Sequence, residues 1–467
     1  MMKFAERIWA ASCSRGGSAN FFSKASRSLY YLALLGLVAL PLHSSFAYSL
    51  LTHEEIIDIM WKDEITPLLL ERFPKSTEKD LQKAHAYAYG GCLVQDMGYY
   101  PLGNVFFSDL THYVRGGDFV ANLINESTNL NEFAYGLGAL AHYCADNSGH
   151  PLINRAVGLS FPKLRKKFGD EVTYEEDPKA HIRVEFGFDM TQVSKNRYTS
   201  QQYHDFIGFE VSKPVLERAF LKTYGLPLDQ VLHPVDLSIG TFRRAASTII
   251  PELTRVALEV QDPKAVKDKP TAEQKLFLYH LSRSEYEKEW GKDYRKPGFV
   301  TRFFAFVLKW VPKFGPLKAL DFKVPTPDTE DLYIRSVNDS VAAYRQGLRQ
   351  IKYAQINLPN LDFDTGKEAR AGEYALADKT YMQWLNKLST RGIQKVNPDV
   401  RENILAYFTE QPKIDQNCRK ERKAWEKAMV ELSTLERTHP TSQTSQKTPP
   451  EFSTTHHKAR STNAPPL

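Results

Sequence analysis

The stretch "LGALAHYCADNSGHPLINRAV" carries His142, Asp146 and His150 at two successive steps of four. An α-helix turns about 100° per residue, so a step of four returns a side chain to nearly the same face one turn on. A single His-x-x-x-Asp pair is ordinarily part of a solvated face. Here Leu137, Leu140, Ala141, Tyr143, Cys144 and Ala145 surround the row, so the helix is expected to be buried, where unpaired ionisable groups are costly. A bound cation is the simplest partner for such a row. A second pair with the same spacing, His181 and Glu185, lies in "DPKAHIRVEFGFD". Three further candidates are His53 in "LLTHEE", Asp96 in "GGCLVQDMGYY" and His112 in "SDLTHYV". No Ser or Cys nucleophile motif is legible, which favours attack by water over a covalent intermediate.

The elements that must position these residues read as helices. "THEE" at Thr52 to Glu55 has the capping-box spacing, Thr77 to Asp80 is a variant with Asp, and Asp177 followed by Pro178 is an N-cap with Pro at the first helical position. These signals open helices over roughly 53 to 72, 78 to 97 and 178 to 194. "NLNEFAYGLGALAHYCAD", "YHDFIGFEVSKPVLERAFLKTY" and "DLSIGTFRRAASTIIPELTRVALEV" continue the pattern. No alternating strands appear, so residues 48–261 read as an all-α, multi-helix domain. "DPKAVKDKP" then reads as a linker. A second helical region, 262–437, follows with patterns near 271 to 290, 328 to 351, 376 to 388, 398 to 408 and 415 to 436. From about 438 to 467 the chain is rich in Ser, Thr, Pro, Gln and His with little apolar content, the composition of a disordered tail.

The first 47 residues read differently. Lys3, Arg7, Arg15, Lys24 and Arg27 precede "LYYLALLGLVALPL", and Ser45 and Ala47 have the small size of a cleavage site. This is the pattern of a signal peptide cut after Ala47, which implies export to the periplasm or beyond; an uncleaved membrane anchor is the alternative. With five basic residues and one acid, the leader contributes +4 of the formal +6, so basicity is no argument for a nucleic-acid partner. Cys92, Cys144 and Cys418 remain after cleavage, and three thiols do not make a disulfide framework.

The order Tyr48, His53, Asp96, His112, His142, Asp146, His150, His181, Glu185 resembles the zinc-dependent phospholipase C and P1-type nuclease superfamily, over about 48 to 200. The resemblance implies an all-α fold holding two or three Zn2+ ions. His112, His142 and Asp146 would bind one, joined by Asp96 as a ligand or as the base that activates water. His150, His181 and Glu185 would bind a second. His53 and Asp146 would bind a third, with the amino group and carbonyl of the first mature residue, Tyr48. Two departures stand out: "NSG" before His150 is shorter than the family's usual spacing, and Tyr48 occupies a position where Trp is usual.

The resemblance implies a phosphodiesterase, with phospholipase C-like hydrolysis of phospholipid ahead of nuclease action on single-stranded nucleic acid. From another class, a non-catalytic cell-envelope binding protein on the same fold is the alternative. The aromatic and basic segment "FVTRFFAFVLKWVPKFGPLKAL", 299–320, suits peripheral contact with a membrane interface or, more plainly, a helix packed on its own domain. His85 and His204 read as packed or hydrogen-bonded histidines, and "FDTG" at Phe363 to Gly366 as a turn.

Overall fold

The computed structural model describes residues 50–195, 208–249, 322–353, 356–392, 396–409 and 419–437, with 272, 275 and 276. The leader, Tyr48, His204, the linker, the segment 299–320, Cys418 and the tail lie outside the described residues.

A helix that is apolar on all sides belongs at the centre of its domain. The helix Leu130–Ser160, buried on every face from Glu132 to Asp146, takes that place. Asn129 caps it by accepting from the Glu132 amide at 3.1 Å. It does not stop at Asp146, where the sequence pattern ends. It runs through Pro151, which has no N–H for the carbonyl four residues back. That carbonyl, on Asn147, lies against Gly366, where a Cβ would come within 2.4 Å of the oxygen. Helices Leu50–Met60, Glu78–Gly91, Gly116–Asn125, Pro178–Ser194 and Pro327–Lys352 pack around this central helix.

The Thr77 capping box and the Asp177 cap form as read from the sequence. The Thr52 box does not. The helix already begins at Leu50, and the Thr52 hydroxyl donates to Asp189 at 3.0 Å, while the other oxygen of Asp189 accepts from the Leu51 amide at 3.1 Å. A carboxylate from a distant helix has taken over the capping role. Through a π-turn at Trp61–Ile65 this first helix continues to Arg72.

The region beyond 261 shares the core of the first. Helix Pro327–Lys352 lies along the central helix, where Tyr344 donates to the Leu137 carbonyl at 3.0 Å and Ser340 to that of Ala145 at 3.3 Å. Tyr333 stacks on Phe188 with ring centres 4.6 Å apart. Helices Ala375–Arg391, Pro398–Tyr407 and Arg419–Arg437 follow, and the Trp384 indole donates to the Tyr224 carbonyl at 2.9 Å. One apolar core runs from Leu50 to Leu435, so the shift in composition near Gln261 is not the edge of a core. Among the described residues the fold is all-α except for two-residue strands at Leu361–Asp362 and Lys367–Glu368, joined by the "FDTG" turn, with Gly366 at φ +67°. No helix among the described residues is long and apolar enough to cross a membrane.

Candidate metal centre

Close approach of two helices sets the first side of the site. A Cβ on Gly138 would lie 2.1 Å from the Ala88 carbonyl oxygen, and one on Gly91 would lie 2.0 Å from that of Tyr135. Only glycine lets the end of helix Glu78–Gly91 come so near the central helix. The contact brings the Cys92 carbonyl to 2.9 Å from Nδ1 of His142. The next turn, Gln95–Tyr99, carries Asp96. It is held by Gln95, whose amide donates to the Ala139 carbonyl at 3.0 Å and whose own carbonyl accepts from Ser108 at 2.6 Å. Ser108 begins the turn that ends in His112, and its carbonyl lies 2.8 Å from His112 Nδ1. The helix that carries His112, Val105–Tyr113, is almost wholly buried, its polar residues Ser108, Asp109, Thr111 and His112 included.

Asp146 stands at the middle of what results. Its Oδ2 is 3.1 Å from His142 Nε2 and 3.5 Å from His112 Nε2. Its Oδ1 is 3.5 Å from His53 Nε2 and 3.8 Å from His150 Nε2. His112 Nε2 is in turn 3.4 Å from Asp96 Oδ1 and 3.3 Å from His142 Nε2. Donor atoms about 2.1 Å from a tetrahedral ion sit about 3.4 Å from one another, which matches these separations. Two groups, His53 with His142 and Asp146, and Asp96 with His112 and His142, bring all their ligand atoms within 4.8 Å.

The hydrogen bonds say which way the lone pairs point. Backbone carbonyls only accept, so Nδ1 of both His112 and His142 carries hydrogen. In the neutral rings both Nε2 atoms then present lone pairs to each other and to two carboxylates. Neither oxygen of Asp146, nor Oδ1 of Asp96, nor Oε2 of Glu185 accepts a hydrogen bond, although all are buried. Such convergence requires positive charge within it, and the donor set of imidazole nitrogen and carboxylate oxygen fits zinc.

The other three predicted ligands form a looser group. His181 Nδ1 is 3.1 Å and His150 Nε2 3.7 Å from Oε1 of Glu185. The three are not gathered within 4.8 Å as the two groups around His142 are. His181 Nε2 instead meets Asn154 Oδ1 at 2.7 Å. Despite the short "NSG", His150 stays on the helical face of Asp146, because the helix continues past Pro151.

All eight described candidates, His53, Asp96, His112, His142, Asp146, His150, His181 and Glu185, are at most 2% exposed. Burial opposes charge on His112, but Asp146 and Asp96 outweigh it and push its pKa up to about 10. His150 is likewise pushed up to about 10, against burial, by Asp146, Asp364 and Glu185. Burial and the neighbouring His142 hold His53 well below the usual histidine value. Burial lifts Asp96, whereas the imidazoles of His142 and His150 overcome burial and hold Asp146 well below the usual carboxylate value.

The residues set aside in sequence are set aside in space. His85 bonds Asp58 at 2.9 Å and stacks on Trp61. Cys92 and Cys144 are free and buried. The "FDTG" turn, by contrast, enters the site: the Phe363 ring packs 5.2 Å from that of His112, and Asp364 Oδ1 lies 3.3 Å from His150 Nδ1. Nothing in the spacing along the chain announces this, since a turn residue far from the histidines carries no periodic signal.

Comparison with curated proteins and with solved structures finds no match. The family model described as zinc dependent phospholipase C matches residues 52–233, which hold every described candidate ligand from His53 to Glu185. Over residues 52–233 the chain is similar to the zinc-dependent phospholipase C family.

Proposed function

We propose that the protein is an exported zinc metallohydrolase that cleaves phosphodiesters, with phospholipid as its substrate. The observation that carries the reading is the division of Asp146, whose Oδ2 faces His112 and His142 while Oδ1 faces His53. On this reading His112, His142 and Asp146 hold one zinc, with Asp96 beside them as the base that activates water. His53 and Asp146, with the backbone of Tyr48 after cleavage at Ala47, hold another. His150, His181 and Glu185 hold a third.

Zinc, when bound, supplies a Lewis acid for the phosphoryl oxygens and lowers the pKa of water at the site. The chain's residues do the rest. Asp96 accepts the proton as water attacks phosphorus, its carboxyl raised above the usual carboxylate value by burial. The carbonyls of Ser108 and Cys92 fix the rings of His112 and His142, and burial of the cluster strengthens every charge interaction within it. Burial also pushes the Cys144 thiol up to about 12 and the Cys92 thiol well above its usual value, so neither is a thiolate at neutral pH. That supports attack by water. On this reading the aromatic and basic composition of 299–320 suits peripheral contact with a lipid surface.

The test is turnover of phosphatidylcholine and of single-stranded DNA by one zinc-loaded preparation beginning at Tyr48. Hydrolysis of the lipid to diacylglycerol supports the reading, and hydrolysis of DNA alone would replace it with a P1-type nuclease. Turnover of neither, unchanged by Asp96→Asn, would leave a binding protein on the same fold.

A further inference from the structure

We infer that Asp364, from the hairpin turn beyond the family segment, is a positioning residue that holds His150 in the orientation needed for its metal. The inference rests on the zinc reading above and deepens it.

The geometry points both ways along the His150 ring. Asp364 Oδ1 lies 3.3 Å from Nδ1, and at the opposite side of the ring Nε2 faces Glu185 Oε1 at 3.7 Å and Asp146 Oδ1 at 3.8 Å. A carboxylate can only accept, so it places the hydrogen on Nδ1 and turns the Nε2 lone pair into the acidic gap. A carboxylate behind an imidazole in this way orients the ring and raises its basicity toward a metal.

Asp364 is itself held from every side. Its Oδ2 accepts from the Tyr113 hydroxyl at 3.1 Å and from the Tyr374 hydroxyl, and its amide donates to Asp362 Oδ1 at 2.9 Å. Its carbonyl accepts from Asn154 Nδ2 at 2.8 Å. That bond fixes the Asn154 amide so that its oxygen meets His181 Nε2 at 2.7 Å. One turn residue therefore reaches both histidines of the looser group, His150 through its carboxylate and His181 through its backbone. The hairpin is seated by Gly366, which lies against the Asn147 carbonyl that Pro151 leaves without a helical donor, one residue after His150.

The test measures zinc stoichiometry and stepwise affinity of the full mature chain, by elemental analysis and chelator competition, for the wild type, Asp364→Ala and Asp364→Asn. Asp364→Ala is expected to weaken one zinc of the set by about 10- to 100-fold and leave the others within about twofold. Asp364→Asn should fall between, because the amide oxygen still accepts from Nδ1–H. Unchanged affinity in Asp364→Ala, or equal weakening at all sites, overturns the inference while the zinc reading stands. A wild-type chain that takes up no zinc overturns both. If circular dichroism shows that Asp364→Ala is unfolded, Tyr374→Phe decides: it removes one hydroxyl from the carboxylate and leaves the side chain, so weakening of a single zinc supports the role and none overturns it.

Discussion

Nδ1 of His142 lies 2.9 Å from the carbonyl oxygen of Cys92, across the contact where Gly138 meets Ala88. The hydrogen bond and the contact are one turn apart on the central helix, so the glycine governs the histidine. Ala is the better helix former by about 1 kcal/mol in an exposed helix, yet Gly138→Ala puts a carbon 2.1 Å from a backbone oxygen. We expect it to destabilise the protein by about 1–3 kcal/mol and to weaken zinc. Urea denaturation of the metal-free chain and chelator competition check the two effects separately.

Asp96 is held by Gln95, and Gln95 by Ser108 and the central helix, so exchanging its carboxylate for an amide should not disturb the backbone. Asp96→Asn is expected to lower kcat/KM by about 10²- to 10⁴-fold, the range for a positioned acid or base. The circular dichroism spectrum should be unchanged. Steady-state hydrolysis of a short-chain phosphatidylcholine reads the rate.

In the metal-free chain His112 and His150 have pKa values pushed up to about 10 and carry protons at neutral pH. Zinc must displace them, so its uptake at pH 7 should release about two protons per chain from this pair. Calorimetry in buffers of different ionisation enthalpy would show this as a buffer-dependent heat. A heat independent of buffer would mean that these rings are already neutral.

The same shift sets the stability of the metal-free protein. Both folded pKa values lie above the unfolded value of about 6.5. Their stabilisation is therefore fully present below that value and is lost as pH rises through about 10. Thermal melts with chelator should show Tm falling from pH 7 to pH 10 through this pair, and melts with zinc should lack this contribution.

A chain ending at residue 261 should fail to fold cooperatively, since it lacks helix Pro327–Lys352 and with it the bonds of Tyr344 and Ser340 to the central helix. A sharp thermal transition in that fragment, seen by circular dichroism, would contradict the shared core.

What the sequence made legible follows from periodicity. His142, Asp146 and His150 are visible because a helix converts a spacing of four into one face, and His181 with Glu185 for the same reason. His53, Asp96 and His112 have no such internal signal; only their order along the chain marks them as ligands. Helices Val105–Tyr113 and Gly116–Asn125 carry His112 and its support, yet they are hard to read in sequence because each is short and the second opens on two glycines with no side-chain cap to mark its start. Thr52 has the spacing of a cap and is not one, since Asp189 competes for the same turn from across the fold. Asp364 reads in sequence only as part of a turn, which it is; its partner His150 is set by tertiary contact, to which local patterning is blind.

The shared core also has a meaning in time. A ribosome finishes the central helix long before it reaches Tyr333, Tyr344 and Leu348, the residues that cover it. For that interval Leu137 and Leu140, buried in the finished protein, have no lid. The nascent chain is thus a client for whatever holds unfinished chains in solution, and the hairpin bearing Phe363 and Asp364 arrives after the histidines it supports.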